Sequence, residues 1–344
     1  MDYSAIISTF FIGFSTAFFA IFSCHILLWR NNRSRFQTVL GWIMAVWALW
    51  NLKDIIITFP NLYSRKVLDW IMIIDGWSAL TYTIFVFEVT MPGWTTWRRM
   101  TLLSVPFLVF TIAYGANFPS HEAVLTAYIV FLWFYAWSIV IIAYVKARRH
   151  IRYVQNNFSN IENIDVSWLK AVLLFAISSQ LLWLFTSLYM SVLADIFYYV
   201  TTLILWLTVL RYSWNFKPIV VEHDEAIGTE QKYVMPFEEG ELERVVEQQQ
   251  LYMNPDLMLS DLARIMCTNR TYLSHYLSHV RQQTYYDFIN QLRIEKQAIP
   301  LLQSHPEYTF EHVAKKSGFS SMSTFRRAFV KFTGKTPSEY IHTA

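Results

Sequence analysis

The hydrophobic pattern of the chain changes character once. Up to about residue 214, long apolar runs alternate with short polar or basic joints; beyond residue 217, apolar positions recur three and four residues apart among charged ones. A helix that crosses about 30 Å of hydrocarbon needs about 20 apolar residues. Seven runs fit that length, at 5–29, 36–59, 67–89, 100–116, 123–145, 167–189 and 191–213. The second is the weakest, because Asn51, Lys53 and Asp54 interrupt it. The joint between the last two is so short that they are expected to form a helical hairpin. Trp29, Tyr63, Trp94, Trp97, Trp168, Tyr212 and Trp214 fall near expected helix ends, where amphipathic rings favour the headgroup level. Met1-Asp2-Tyr3 lacks a basic n-region, so the first run reads as a retained span.

The polar C-terminal third carries a helical period. A first helix over 241–252 is broken by Asn254-Pro255-Asp256. Ser260 is expected to cap a helix at 261–266, Cys267-Thr268-Asn269 to turn the chain, and 270–280 to form a helix with Leu273 and Leu277 inward. Two short helices about a tight turn are the helix-turn-helix pattern. A longer helix over 285–302 follows, and then the pattern repeats. Phe310, Val313 and Ala314 mark a supporting helix, Gly318 ends it, and Ser320 or Ser321 begins a second recognition helix with Phe325 and Phe329 inward. The final short helix contains Tyr340. The expected fold is all-α, a polytopic bundle of about seven transmembrane helices followed by a double helix-turn-helix domain.

Composition agrees with this division. Hydrophobic residues make up 54% and charged residues 15% of the 344, too apolar for an ordinary soluble protein of this length. Between the two parts, residues 218–239 carry six acidic residues against Lys232 alone and read as a flexible acidic tether. The expected domains are therefore 1–217, 218–239 and 240–344. With seven spans, twelve Lys and Arg residues fall on one side and only Arg65 and Lys66 on the other. The basic side should be cytoplasmic, which puts the N-terminus outside and the polar third inside. Cys24 and Cys267 fall in different parts and are not expected to pair, and no zinc spacing is present. No cofactor, no metal and no catalytic group is expected: paired catalytic carboxylates and His-rich motifs are lacking, and this argues against an enzyme.

Ionisable residues inside spans are costly and face a bundle interior or a wet cavity. Lys53, Asp54, Asp75 and Asp195 fall toward the outer halves of their spans, and Glu88 at an inner end. They are either an outward pocket for a signal molecule or a structural ion pair such as Lys53 with Asp75. His25 has no second metal ligand at suitable spacing and reads as a packing residue. Trp133, Phe134, Tyr135 and Trp137 point all round a helix, and so are not expected to line one pocket together.

The segment 318–340, GFSSMSTFRRAFVKFTGKTPSEY, is the most specific in the chain. Gly318-Phe319, Ser323, Phe325, Arg327, Phe329, Lys331, Thr333-Gly334 and Thr336-Pro337-Ser338-Glu339-Tyr340, with Arg293-Ile294-Glu295 on the connecting helix, resemble the DNA-binding domain of the AraC/XylS family of bacterial transcription regulators. The resemblance covers 241–342. Gln297 and Pro300 depart from it, standing where alanine and leucine are usual, and a proline there should kink or unwind the connecting helix. The resemblance implies two recognition helices in successive major-groove segments about one turn apart. It implies base contacts from Thr271, Ser274 and His275 and from Ser323, Thr324 and Arg327. Arg327 is the strongest of these, since a guanidinium bonds guanine O6 and N7 together. Asn269, Arg270, Arg326, Lys331 and Lys335 are candidates for phosphate contact. Residues 240–344 hold 12 basic and 10 acidic residues, a weakly basic balance that favours binding as a pair.

The reading is a membrane-anchored one-component transcription regulator of the bacterial inner membrane, with the spans as signal sensor. Two alternatives stay open: a transporter or membrane enzyme carrying a regulatory DNA-binding domain, and a passive anchor. Expected partners are double-stranded DNA and the lipid bilayer, with RNA polymerase, a second copy of the chain and an unknown small-molecule or membrane signal as further candidates.

Overall fold

The computed structural model describes residues 3–55, 64–189, 192–220, 238 and 240–343. The tether 218–239 and the turn at 190–191 therefore lie largely outside the described residues. Among those residues every element is helical, apart from one isolated antiparallel bridge between Phe158 and Met258. They divide into two compact units, 1–148 with 166–220, and 149–165 with 221–344.

The first unit holds α1 (Tyr3–Cys24, extended by a π turn His25–Trp29), α2 (Arg35–Lys53), α3 (Arg65–Gly76), α4 (Ser78–Thr90) and α5 (Trp97–Gly115). It continues with most of α6 (His121–Asn157), then α7 (Leu169–Tyr189) and α8 (Val192–Ser213). Among the described residues four helices, not seven, are long and apolar enough to cross a membrane: Thr9–Trp29, Arg65–Thr90, His121–Asn157 and Ile196–Ser213. The other three expected spans fail for separate reasons. In α2, Gln37, Thr38, Asn51 and Lys53 dilute a 19-residue helix, and residues 56–59 of that expected span lie outside the described residues. α5, also 19 residues, opens with Arg98 and Arg99 and carries Thr101 and Ser104. The third, α7, is described with its side chains only over Leu169–Phe185, and counts there as a shorter apolar helix. An outer N-terminus together with an inner polar third, as the loop charges suggest, needs an odd number of crossings, which four does not supply.

Internal polar contacts tie the first unit together. Ser23 Oγ donates to Gly41 O at 3.0 Å between α1 and α2. Glu88, 1% exposed, accepts from Arg35 Nε at 3.2 Å and from the backbone N–H groups of Gly93 and Thr95 at 3.0 Å each. This buried carboxylate is thus fully occupied in closing the turn after α4. His25 stacks on Trp214, with ring centroids 5.2 Å apart, and Arg30 lies over the same indole while donating to Trp214 O at 2.8 Å.

The second unit is a run of short helices: α9 (Glu241–Gln248), a 3-10 turn Leu251–Met253, α10 (Leu259–Ile265), α11 (Arg270–His275, with a π turn to Val280) and α12 (Tyr285–Leu292). A π-helical stretch Arg293–Ala298 leads into α13 (Ile299–Ser304), followed by α14 (Phe310–Lys316), α15 (Met322–Thr333) and α16 (Pro337–Thr343). α10 begins two residues before the expected start. Met258, not Ser260, is its N-cap, because Asp261 Oδ2 accepts the Met258 N–H at 3.2 Å. The π stretch immediately precedes Pro300: a wider turn accommodates a residue that has no N–H and whose ring crowds the carbonyl four residues back.

Two separate cores fill this unit. The first gathers Leu242, Leu262, Leu273, Leu277, Phe288 and Ile289 among others; the second gathers Ile294, Leu302, Val313, Phe319, Phe325 and Phe329. The connecting helix serves both, and the changeover falls at Arg293.

Candidate DNA interface and the membrane-unit ion cluster

The two helix-turn-helix halves are built alike. In the first, Asn269 caps α11, its Oδ1 accepting Tyr272 N–H at 2.9 Å, and Leu273 and Leu277 bury one face. In the second, Ser321 caps α15, with Thr324 N–H at 3.4 Å from its Oγ, and Phe325 and Phe329 bury one face. Gly318 ends α14 at φ 81, and a Cβ there would stand 2.7 Å from the carbonyl oxygens of Tyr252 and Met253. Both the left-handed backbone and the close approach to the 3-10 turn require glycine.

Opposite these buried faces each helix carries polar side chains. Thr271, Ser274 and His275 are half-buried on α11; Ser323, Arg326 and Arg327 are exposed on α15, where Arg327 Nε reaches Ser323 O at 3.4 Å. Thr324 differs from expectation. It is 3% exposed and its hydroxyl accepts from Ser321 Oγ at 3.0 Å, so it completes the cap instead of facing outward. Asn269 is likewise occupied as a cap. Lys331, exposed on α15, pairs with Asp287 of α12, Nζ to Oδ1 2.6 Å. Lys335 is exposed and Arg270 half-buried. His275 stacks on His279 with centroids 4.0 Å apart, and burial, followed by the His279 charge, holds its imidazole below the ordinary value.

Between the halves lies Arg293, 1% exposed. Its Nε donates to Tyr252 O at 2.7 Å, Nη1 to Asn290 Oδ1 at 3.0 Å and Ser159 O at 3.2 Å, and Nη2 to Asn254 O at 2.8 Å and Ser159 Oγ at 3.2 Å. Burial pushes the guanidinium down to about 10, still charged at neutral pH. Five neutral acceptors replace its water, which is what makes an unaccompanied buried cation tolerable.

In the first unit, Lys53, Asp54 and Asp75 come together. Lys53 Nζ lies 2.6 Å from Asp75 Oδ1 and 2.5 Å from Asp54 Oδ1, and Tyr199 OH donates to Asp54 Oδ2 at 3.1 Å. One lysine thus faces two carboxylates. Asp195 belongs to α8, and its side chain lies outside the described residues. Asp75 also borders a small polar cavity with Tyr82, Ser179, Gln180 and Tyr198. That cavity shares Tyr82 and Gln180 with an apolar cleft that Trp133, Tyr135 and Trp137 help to line. Of the group Trp133, Phe134, Tyr135 and Trp137, three border this cleft, while Phe134 is 72% exposed. The four do not line one pocket together, as their directions round the helix imply, but a wide cleft takes in three of them.

Among known proteins, a family model described as a helix-turn-helix domain matches residues 262–343. Over 102 residues the chain is 28% identical to uncharacterized HTH-type transcriptional regulators of Staphylococcus aureus strains COL, MSSA476 and MRSA252. Each match covers 30% of this chain and 13% of the relative, so the chain spans only a small part of those proteins' length. All three bear the name of a regulator and not of an enzyme. No solved structure matches the chain.

Proposed function

We propose that the protein is a membrane-anchored transcription regulator whose residues 240–344 form an AraC/XylS-type double helix-turn-helix domain. The observation that carries this is the repeated motif: two capped recognition helices, each with one buried apolar face and one polar outer face, on two cores joined by one helix. The HTH-type regulator names of the relatives support the helix-turn-helix regulator part of this reading. Thr271, Ser274 and His275 read one major-groove segment and Ser323 and Arg327 the next, while Arg270, Arg326, Lys331 and Lys335 neutralise phosphates. Residues 1–217 form the membrane part and 218–239 the acidic tether.

The membrane part is the sensor, and the Lys53–Asp54–Asp75 cluster beside the cleft is where a signal molecule acts. An effector shifts the chain between two states by binding one of them better. The chain is a multi-pass protein of the bacterial cytoplasmic membrane with its DNA-binding unit in the cytoplasm. α6, at 37 residues, would be about 55 Å long against about 30 Å of hydrocarbon, and its C-terminal end carries Lys146, Arg148, Arg149 and Arg152. Those basic residues mark the cytoplasmic end. A weakly basic domain gains affinity by acting as a pair, so a second copy and RNA polymerase are the expected partners on DNA.

The experiment is to map the genomic sites bound by the full-length protein in cells, with and without Lys53→Ala and Asp75→Ala, while promoter output is followed. Discrete sites whose output responds to a signal in wild type but not in the variants are expected. Uniform or absent DNA binding would refute the regulator assignment, and an unaltered signal response in both variants would refute the sensor site.

A further inference from the structure

The segment 149–165 precedes the helix-turn-helix unit by the whole of α7 and α8, yet it belongs to that unit. It consists of the last turns of α6 and the loop that follows. Ser159, fully buried, is the centre of the attachment. Its N–H donates to Leu257 O at 3.3 Å and its Oγ to Pro255 O at 3.3 Å, both in the approach to α10. Its carbonyl and hydroxyl oxygens each accept from Arg293 at 3.2 Å. Phe158 bridges Met258 beside it. Three residues on, Glu162 Oε2 accepts from Ser320 Oγ at 3.2 Å, directly before the cap of α15. His150 Nε2 donates to Ile164 O at 3.0 Å and holds the returning loop against α6.

One loop therefore grips the first half at 255–258, the second half at Ser320, and the arginine at which the two cores meet. Beside it run the packing of Gly318 on the 3-10 turn, the Lys331–Asp287 pair and the connecting helix, which is loosened by a π stretch ahead of Pro300. A π stretch makes weaker backbone bonds than an α-helix and bends more readily. We propose that loop 158–165 is a strap that fixes the spacing of the two reading helices, with Ser159 and Glu162 as its positioning residues. The proposal rests on the double-motif reading above. Because the strap continues from α6, a change in that helix reaches the DNA-binding unit through it, and the property changed is which half-site spacing the protein accepts.

The spacing is testable. One inserted base pair shifts the second groove segment by about 3.4 Å and turns it by about 35°. Full-length protein in lipid nanodiscs would first select its sites from a random duplex library. Binding would then be measured to the selected site, to the same site with one base pair inserted between half-sites, and to each half-site alone. A second readout needs no DNA. In a Cys24→Ser, Cys267→Ser background, spin labels at Ser278→Cys and Val330→Cys report the distance between the two recognition elements.

For wild type we expect a narrow distance distribution and a loss of about tenfold or more on insertion. In Ser159→Ala/Glu162→Ala the distribution broadens and the insertion penalty falls below about threefold, with half-site binding unchanged. Glu162→Gln, which keeps the acceptor for Ser320, retains the wild-type penalty. A double variant with wild-type distances and penalty overturns the proposal. So does loss of half-site binding in step with spacing, which would mark the contacts as general support for the fold. If wild type selects no site, the DNA-reading assignment falls, and the label distances alone decide whether the strap holds the halves.

Discussion

Lys331 on the second recognition helix is paired with Asp287 on the connecting helix at 2.6 Å. The pair crosses from one half of the DNA-binding unit to the other and lies at the surface, where such pairs are worth about 0–1 kcal/mol. It therefore does little for stability, and its consequences fall on DNA binding. Lys331→Ala should leave the denaturation midpoint nearly unchanged, weaken binding to all sequences alike, and lower the slope of log affinity against log salt by about one. Asp287→Ala removes the competing carboxylate and should tighten binding. Gel-shift titrations at several salt concentrations check both.

Gly318 tests the joint from the backbone side. Alanine there must adopt φ near 81 and place its Cβ 2.7 Å from two carbonyl oxygens. Gly318→Ala should cost about 2–4 kcal/mol, read as earlier urea unfolding of the C-terminal unit by hydrogen exchange. Gly334, also at positive φ but with open space around it, should cost less on the same substitution.

His275 gives a pH dependence with a definite sign. Burial and then His279 hold its imidazole below 6.5, so the ring is neutral at pH 7 in the free protein. A nearby phosphate favours the protonated ring, so binding raises that value. DNA affinity should rise as pH falls through the raised bound-state value and level off below the lowered free one, and His275→Gln should flatten the rise. The fold responds in the opposite sense. A base depressed in the folded state contributes stability that is complete above 6.5, falls as pH drops toward the lowered folded value, and is level below it.

Much of the DNA-binding unit was legible in the sequence because its signals are local. The helix start at Ser321, apolar pairs four residues apart and Gly318 at a helix end each act within one or two turns, whereas the cap expected at Ser260 falls to Met258 and that of Asn269 is not foreseen. Position along the motif points Thr324 outward, whereas its hydroxyl is drawn into the Ser321 cap, a local competition that spacing alone does not register. Four candidate spans stand in place of seven because several apolar runs are longer in sequence than the apolar helices they form. Real helices end at Lys53 and begin at Trp97 with arginines beside it, which shortens the apolar stretch available to lipid. The strap was not legible at all. Ser159 carries no motif, and its partners lie about a hundred residues or more further along the chain, a separation that periodicity does not register.

The ion cluster in the membrane unit predicts an asymmetry. Lys53 alone balances Asp54 and Asp75, so Lys53→Met leaves two neighbouring carboxylates without a cation and should cost about 3–5 kcal/mol. Asp75→Asn leaves Lys53 paired with Asp54 and should cost less. Thermal unfolding in detergent distinguishes the two, and equal losses would contradict the shared-lysine arrangement.

The central claim is sequence-selective DNA reading by two helices of one membrane-anchored chain. DNase footprinting of a selected site by the full-length protein in nanodiscs, wild type against Arg327→Ala, tests it most directly. The account predicts two protected segments about one helical turn apart for wild type, and for the variant a loss of about 1–3 kcal/mol with relaxed preference at one base pair of one segment. A variant footprint identical in affinity and sequence preference would contradict it.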